Sequence, residues 1–173
     1  DKSLKEVGRW PWPRSTHARL TDVLTEAGAK RIFFDLVFHG PTVPSDDQAL
    51  AASIKRSGRV HLPVRHLSGI DEGVQLNTKS MPLFTEHAKL GSISVRYNYQ
   101  NAVWRLPVAV KLGSTLTPSY AAQLADFSPL SDEFFIPDYS IDPASVPIYS
   151  ASDLLAGRVP ATALEGKDFV VAV

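Results

Sequence analysis

An eight-residue apolar run, Arg31-Ile32-Phe33-Phe34-Asp35-Leu36-Val37-Phe38, lies between a glycine break at Gly28 and a stop at His39-Gly40-Pro41. A short run so rich in aromatic residues suits a strand covered on both faces, as in a parallel sheet. Its neighbours sharpen that reading. Upstream, Ser15 or Thr16 offers an N-cap, and Leu20, Val23, Leu24 and Ala27 follow at helical spacing up to Gly28. Downstream, Asp46-Asp47 caps a second helix with Leu50, Ala51 and Ile54 inward and Gly58 as its stop. Residues 59–64 then alternate, with Val60, Leu62 and Val64 on one side. Helix, strand, helix and strand at such short range favour an α/β fold with right-handed crossovers.

The middle of the chain is less regular. Residues 67–81 are polar and read as loop. Ile93, Val95, Tyr97 and Tyr99 alternate, as do Leu106, Val108 and Val110, which predicts an antiparallel hairpin around Asn98–Asn101. Thr117-Pro118 makes an N-cap and N1 pair for a short helix through Ala125. Residues 134–136 form a candidate strand, and Ser150-Ala151-Ser152-Asp153 resembles a capping box. The expected fold is therefore a mixed, mainly parallel sheet flanked by helices, with an antiparallel hairpin insertion. Residues 32–38 and 169–173 are its interior strands. No internal repeat or linker divides residues 1–173, which read as a single domain. The abrupt start at Asp1 and the apolar finish at Val173 read as cuts from a longer protein.

Composition removes several function classes. The 18 basic residues balance the 18 acidic ones, and no basic run appears, which speaks against nucleic acid as a partner. Cysteine is absent, so disulfides, thiolate metal sites and a cysteine nucleophile are excluded. No apolar stretch is long enough to span a bilayer. Dinucleotide, Walker A and G-x-S-x-G patterns are missing. The histidines, His17, His39, His61, His66 and His87, have no metal-ligand spacing and read as surface or loop residues. Neither a cofactor nor catalytic activity is expected.

Three polar residues remain as candidates for a ligand-binding cluster: Arg14, Asp35 and Arg105. Asp35 interrupts an apolar strand near its carboxyl end, where open α/β sheets place ligands, and a buried carboxylate needs a partner. It either serves such a site or is structural, capping a loop or pairing with an arginine. Arg14 and Arg105 sit beside prolines and tryptophans, where a guanidinium stacks on a ring and still binds a carboxylate in bidentate fashion. Each could bind an anionic ligand or pin a loop. Because Arg14 directly precedes the first helix, it should lie at the sheet's carboxyl edge, within salt-bridge range of Asp35. Arg105 is the less constrained partner.

Asp1-Lys2-Ser3-Leu4 and Gly8-Arg9-Trp10-Pro11-Trp12-Pro13-Arg14 resemble the opening of CHASE2 domains. The resemblance continues through 34–38 and Asp46-Asp47-Gln48-Ala49-Leu50, resumes at Arg105-Leu106-Pro107 and Pro118-Ser119, and ends with 150–157 and 166–171. It weakens between 67 and 91. It implies an extracytoplasmic, periplasmic sensory domain of an inner-membrane receptor. Adjoining membrane helices and a small-molecule ligand of unknown identity would be its partners, with a homodimer possible. The expected output is a cytoplasmic cyclic-di-GMP cyclase or phosphodiesterase. An adenylate cyclase, a sensor kinase, or a purely structural, dimerising ectodomain are the alternatives. The sequence departs from the family at Gln100-Asn101-Ala102-Val103-Trp104, where an Asp-Gly turn is common.

Overall fold

In the computed structural model, residues 2–68 and 75–172 are described. In chain order the elements are α1 (Lys2–Glu6), α2 (Arg14–Glu26), β1 (Arg31–Phe34), α3 (Pro44–Ser57), β2 (Val60–Ser68), β3 (Gln75–Lys79), α4 (Pro82–Thr85) and β4 (Lys89–Ser92). There follow β5 (Arg96–Tyr97), β6 (Val103–Pro107), β7 (Ala109–Leu112), β8 (Thr115–Pro118), α5 (Tyr120–Leu124), β9 (Phe134–Phe135), α6 (Ala151–Leu155) and β10 (Asp168–Val171).

The main sheet runs β10-β1-β2, all parallel, with β4 parallel to β2 and β3 antiparallel to it. Along β2, His61 pairs with both Phe33 and Lys89, and Val64 with both Lys79 and Ser92. So β4 lies on one side of β2, while β1 and then β3 share the other. β3 takes up the β2 edge that β1 relinquishes when it ends at Phe34. This is the expected mixed, mainly parallel α/β arrangement.

The larger core lies on one sheet face. Ile32 and Phe34 of β1 meet Leu20 and Leu24 of α2, Leu50 and Ile54 of α3, and Leu154 of α6, all buried. Helix α2 ends before Gly28, whose φ of +81° is one that glycine adopts freely, and an added Cβ would press on Glu165 at 3.2 Å. Here Gly166 N–H donates to the Gly28 carbonyl and Lys30 N–H to the Lys167 carbonyl, joining the end of α2 to the segment that leads into β10.

Phe33, between Ile32 and Phe34, points to the opposite face. It stacks on His61 (centroids 4.2 Å) and meets the Tyr120 ring edge-on (5.0 Å). The Tyr120 hydroxyl donates to the carbonyls of Phe34 (2.8 Å) and His61 (3.1 Å), and burial, with the nearby Asp35 charge second, pushes its pKa up. Gln123 Nε2 donates to the Leu90 carbonyl, and its amide oxygen meets His61 Nδ1. Arg31 holds Asp168 in a bidentate pair (2.8 and 2.6 Å) and reaches Asp126 at 2.7 Å. These bonds fasten α5 and the turn after it over the second face.

Several expected boundaries are corrected. The strand foreseen at 32–38 ends at Phe34, because the Asp35 N–H makes the last bond to β10, at the Val171 carbonyl, before the chain turns away. The terminal strand is not interior: among the described residues β10 pairs only with β1, and Val173 lies outside them. Part of the region read as loop is strand, β2 running to Ser68 and β3 from Gln75 to Lys79, while residues 69–74 lie outside the described set. Pro13 rather than Ser15 or Thr16 precedes α2, and Val43 precedes α3, leaving Asp46 and Asp47 in its first turn. Thr117 and Pro118 finish β8, and Ser119 caps α5, its hydroxyl accepting from Ala122 N–H. The hairpin forms as β5-β6, closed by Asn98 Oδ1 accepting from the amides of Gln100 and Ala102. It is shorter than foreseen: Val110 belongs to β7, and β9 adds a third strand.

Candidate functional site

Where the chain leaves β1, it opens a groove of about 470 Å³ at the carboxyl edge of the sheet. Trp10 and Trp12 form one wall, Leu36 and Phe38 another, and Val43 and Asp46 at the start of α3 the rim; Arg14 and His17 underlie it. The Trp-Pro-Trp-Pro segment cannot form a helix until after Pro13. It therefore reaches the sheet edge as a bent, non-helical segment, with Trp12 Nε1 donating to the Gly8 carbonyl, and turns helical at Arg14.

Arg14 is buried, and its guanidinium makes four contacts. Nη1 donates to Asp47 Oδ1 (2.7 Å) and to Met81 Sδ (3.5 Å); Nη2 donates to the carbonyls of His39 (2.6 Å) and Gly40 (2.7 Å). The rings of Phe84 and Phe38 lie 5.0 and 5.8 Å from its Cζ. Asp47 also accepts from the Thr42 amide (2.9 Å) and hydroxyl (2.6 Å). Burial alone would raise the Asp47 carboxyl, but the Thr42 bonds and the Arg14 charge hold it below the usual carboxylate range. The pair is thus closed on itself and on neighbouring backbone and Thr42 groups, and both side chains are more than nine-tenths buried, so little of either charge is offered to the groove.

His17 is 3% exposed, and its Nδ1 has no hydrogen-bond partner among the described residues. Phe38, Trp10, Trp12 and Phe34 surround the ring at centroid distances of 5.3, 5.7, 6.1 and 6.1 Å. Burial, reinforced by the Arg14 charge, lowers its pKa to about 4, so the imidazole is neutral at pH 7. Asp46 is half-buried on the groove rim and forms no ion pair among the described residues.

The candidates read from sequence fare differently. Arg14 does lie at the carboxyl edge, but its carboxylate is Asp47, not Asp35. Asp35 is exposed, and no ion pair of the described residues includes it. Arg105 lies exposed on β6, paired in register with Arg96 of β5, its guanidinium 5.8 Å from the Trp104 ring. The three residues form no salt-bridged cluster. Asp47 was read as a helix-start charge and His17 as a surface residue, yet each carries a positional signal. Residues 47, 50, 51 and 54 share one buried stripe, and 17, 20, 21 and 24 share another. A polar residue on the apolar face of a helix was the sign of a built interior group. His61, also buried, corrects the surface reading in the same way.

The whole chain, residues 1–173, matches the family model described as the CHASE2 domain. Comparisons with curated proteins and with solved structures give no match. No helix of the described residues is long and apolar enough to cross a membrane. The resemblance carried by the Trp-Pro-Trp-Pro-Arg opening is thereby established over the full length, and the chain belongs to the CHASE2 family of extracellular sensory domains.

Proposed function

We propose that this chain is the signal-sensing input domain of a bacterial transmembrane receptor, lying in the periplasm, with the Trp10–Phe38 groove as its ligand site. The observation that carries the reading is the groove itself. It is concave and aromatic, it lies at the carboxyl edge of an open α/β sheet, and a buried, unpartnered imidazole forms part of its floor. The pre-bonded Arg14–Asp47 pair gives that floor a fixed shape. A ligand with unequal affinity for two arrangements of the receptor would shift its output. The output assigned here is a cytoplasmic cyclic-di-GMP cyclase or phosphodiesterase, and the adjoining membrane helices carry the signal to it. The test is cellular cyclic-di-GMP measured in cells expressing the intact receptor, a Trp12→Ala receptor and a receptor lacking this domain. The reading requires that removal of the domain change the level and that Trp12→Ala abolish its response to growth conditions. Equal levels in all three would refute it.

One observation favours a dimerising ectodomain as a second reading. Tyr97, Trp104 and Phe134, on the β5-β6-β9 sheet, and Ile136 and Tyr139 just beyond it, are all exposed. Sedimentation of the wild type and of Trp104→Glu decides it: a dimer that the substitution dissociates supports this reading, and a monomer in both rejects it.

A further inference from the structure

Resting on the groove as a ligand site, we infer that its ligand is a small protonated amine, held against Trp10 and Trp12 with Asp46 as counter-ion. The indoles meet edge-on, with centroids 5.5 Å apart and planes at 68°, and the His17 ring stands at 82° to Trp10. The aromatic faces are therefore turned in different directions around one corner. An indole face is electron-rich and attracts a cation placed over its open side. Trp10 is 37% exposed, so its surface is open to an entering molecule.

The charges support the same sign. The ionisable groups on the groove are Arg14, His17, His39 and Asp46. Asp47 cancels Arg14 at 2.7 Å, and two carbonyls take the other guanidinium nitrogen. His17 is neutral at pH 7. That leaves the exposed His39 ring and Asp46, a carboxylate without an ion-pair partner among the described residues. An anionic ligand would meet Asp46 with no free guanidinium or ammonium on the groove to offset it, and a neutral ligand would leave it unused. The amine's N–H groups matter as well. They donate to the Asp46 carboxylate, which a quaternary ammonium cannot do.

The experiment titrates n-butylammonium, tetramethylammonium, n-butanol and butyrate into the protein at fixed ionic strength, following the indole N–H signals of its three tryptophans by NMR. Trp104, on the separate β5-β6-β9 sheet, is the internal control. The expected result is saturable shifts at Trp10 and Trp12 but not Trp104, with n-butylammonium binding at least about tenfold more tightly than n-butanol. Tetramethylammonium should fall between them and butyrate should not bind. In Asp46→Asn, which should stay folded with a melting temperature only slightly lowered by the lost first-turn charge, the preference should fall to about twofold. If n-butanol or butyrate binds as well as n-butylammonium, the amine inference fails while the groove remains a ligand site. If no probe shifts Trp10 or Trp12, the inference fails outright, and the receptor assay alone judges the sensory reading.

Discussion

Arg14 and His17 occupy successive turns on one face of α2, and both are polar groups placed where apolar ones would serve. Their energetics differ. Arg14 is compensated by Asp47, so removing one partner strands a buried charge, at a typical cost of about 3–5 kcal/mol. Asp47→Ala should therefore lower the melting temperature sharply, while Asp35→Ala, at an exposed position, should change stability by no more than about 0.5 kcal/mol. Thermal melts of the two variants check both statements, and equal losses would show the pairing to be wrong. His17 acts through pH. The unfolded imidazole takes up its proton near 6.5 and the folded one near 4. Between those values the unfolded chain binds more protons, so stability is lost as pH falls from about 6.5 to 4. The loss should reach about 2–4 kcal/mol. Asp47, with its lowered pKa, adds a loss of the same sign at still lower pH. Urea unfolding at pH 7, 6 and 5 should show the slope in the wild type and its disappearance in His17→Phe. In the sequence Asp35 interrupts an apolar run and reads as a buried carboxylate, but whether a residue at a strand's end is buried depends on where the ladder stops. That is decided by the Val171 carbonyl 136 residues away, which no local pattern records.

At the scale of elements, local pattern and tertiary pairing divide the fold between them. Helices α2 and α3 were legible because their apolar residues recur at helical period and glycines stop them. β3 was not, since Gln75-Leu76-Asn77-Thr78-Lys79 is polar and becomes a strand only by pairing with the long β2. Thr117-Pro118 has the chemistry of a helix start, yet the β7-β8 ladder claims both residues and moves the cap to Ser119. The second sheet face depends on Gly91. A Cβ there would lie 2.4 Å from the Tyr120 ring, and that ring is pinned by two hydroxyl bonds. Gly91→Ala should therefore cost about 1–3 kcal/mol by overpacking. Adding Tyr120→Leu should make the double variant's loss smaller than the sum of the two single losses. Strict additivity in denaturant unfolding would show that the two residues do not press on each other.

Across the whole molecule the fastenings are of unequal strength. Helix α1 is held to α6 and its flanks largely by surface ion pairs, Lys2 to Asp153 at 2.6 Å and Arg158 to Glu6, with one part-buried contact between Ser3 and Ser150. Exposed ion pairs are screened by salt. Amides of α1 should thus exchange with solvent faster at about 1 M salt, whereas the amides of α2, backed by the apolar core, should not; hydrogen exchange at the two salt levels tests this. Helix α2 itself is a stiffer object. Its 13 residues make a rod of about 20 Å, with Arg14 and His17 under the groove at one end and Gly28 against Glu165 and Gly166 just past the other. Such a rod acts as a lever. Pivoted at the groove, a tilt of about 3° carries its far end through about 1 Å. That travel arrives at the Gly28 carbonyl, which the Gly166 N–H holds at 2.9 Å just before β10, and a bonded junction passes it on as push rather than slack.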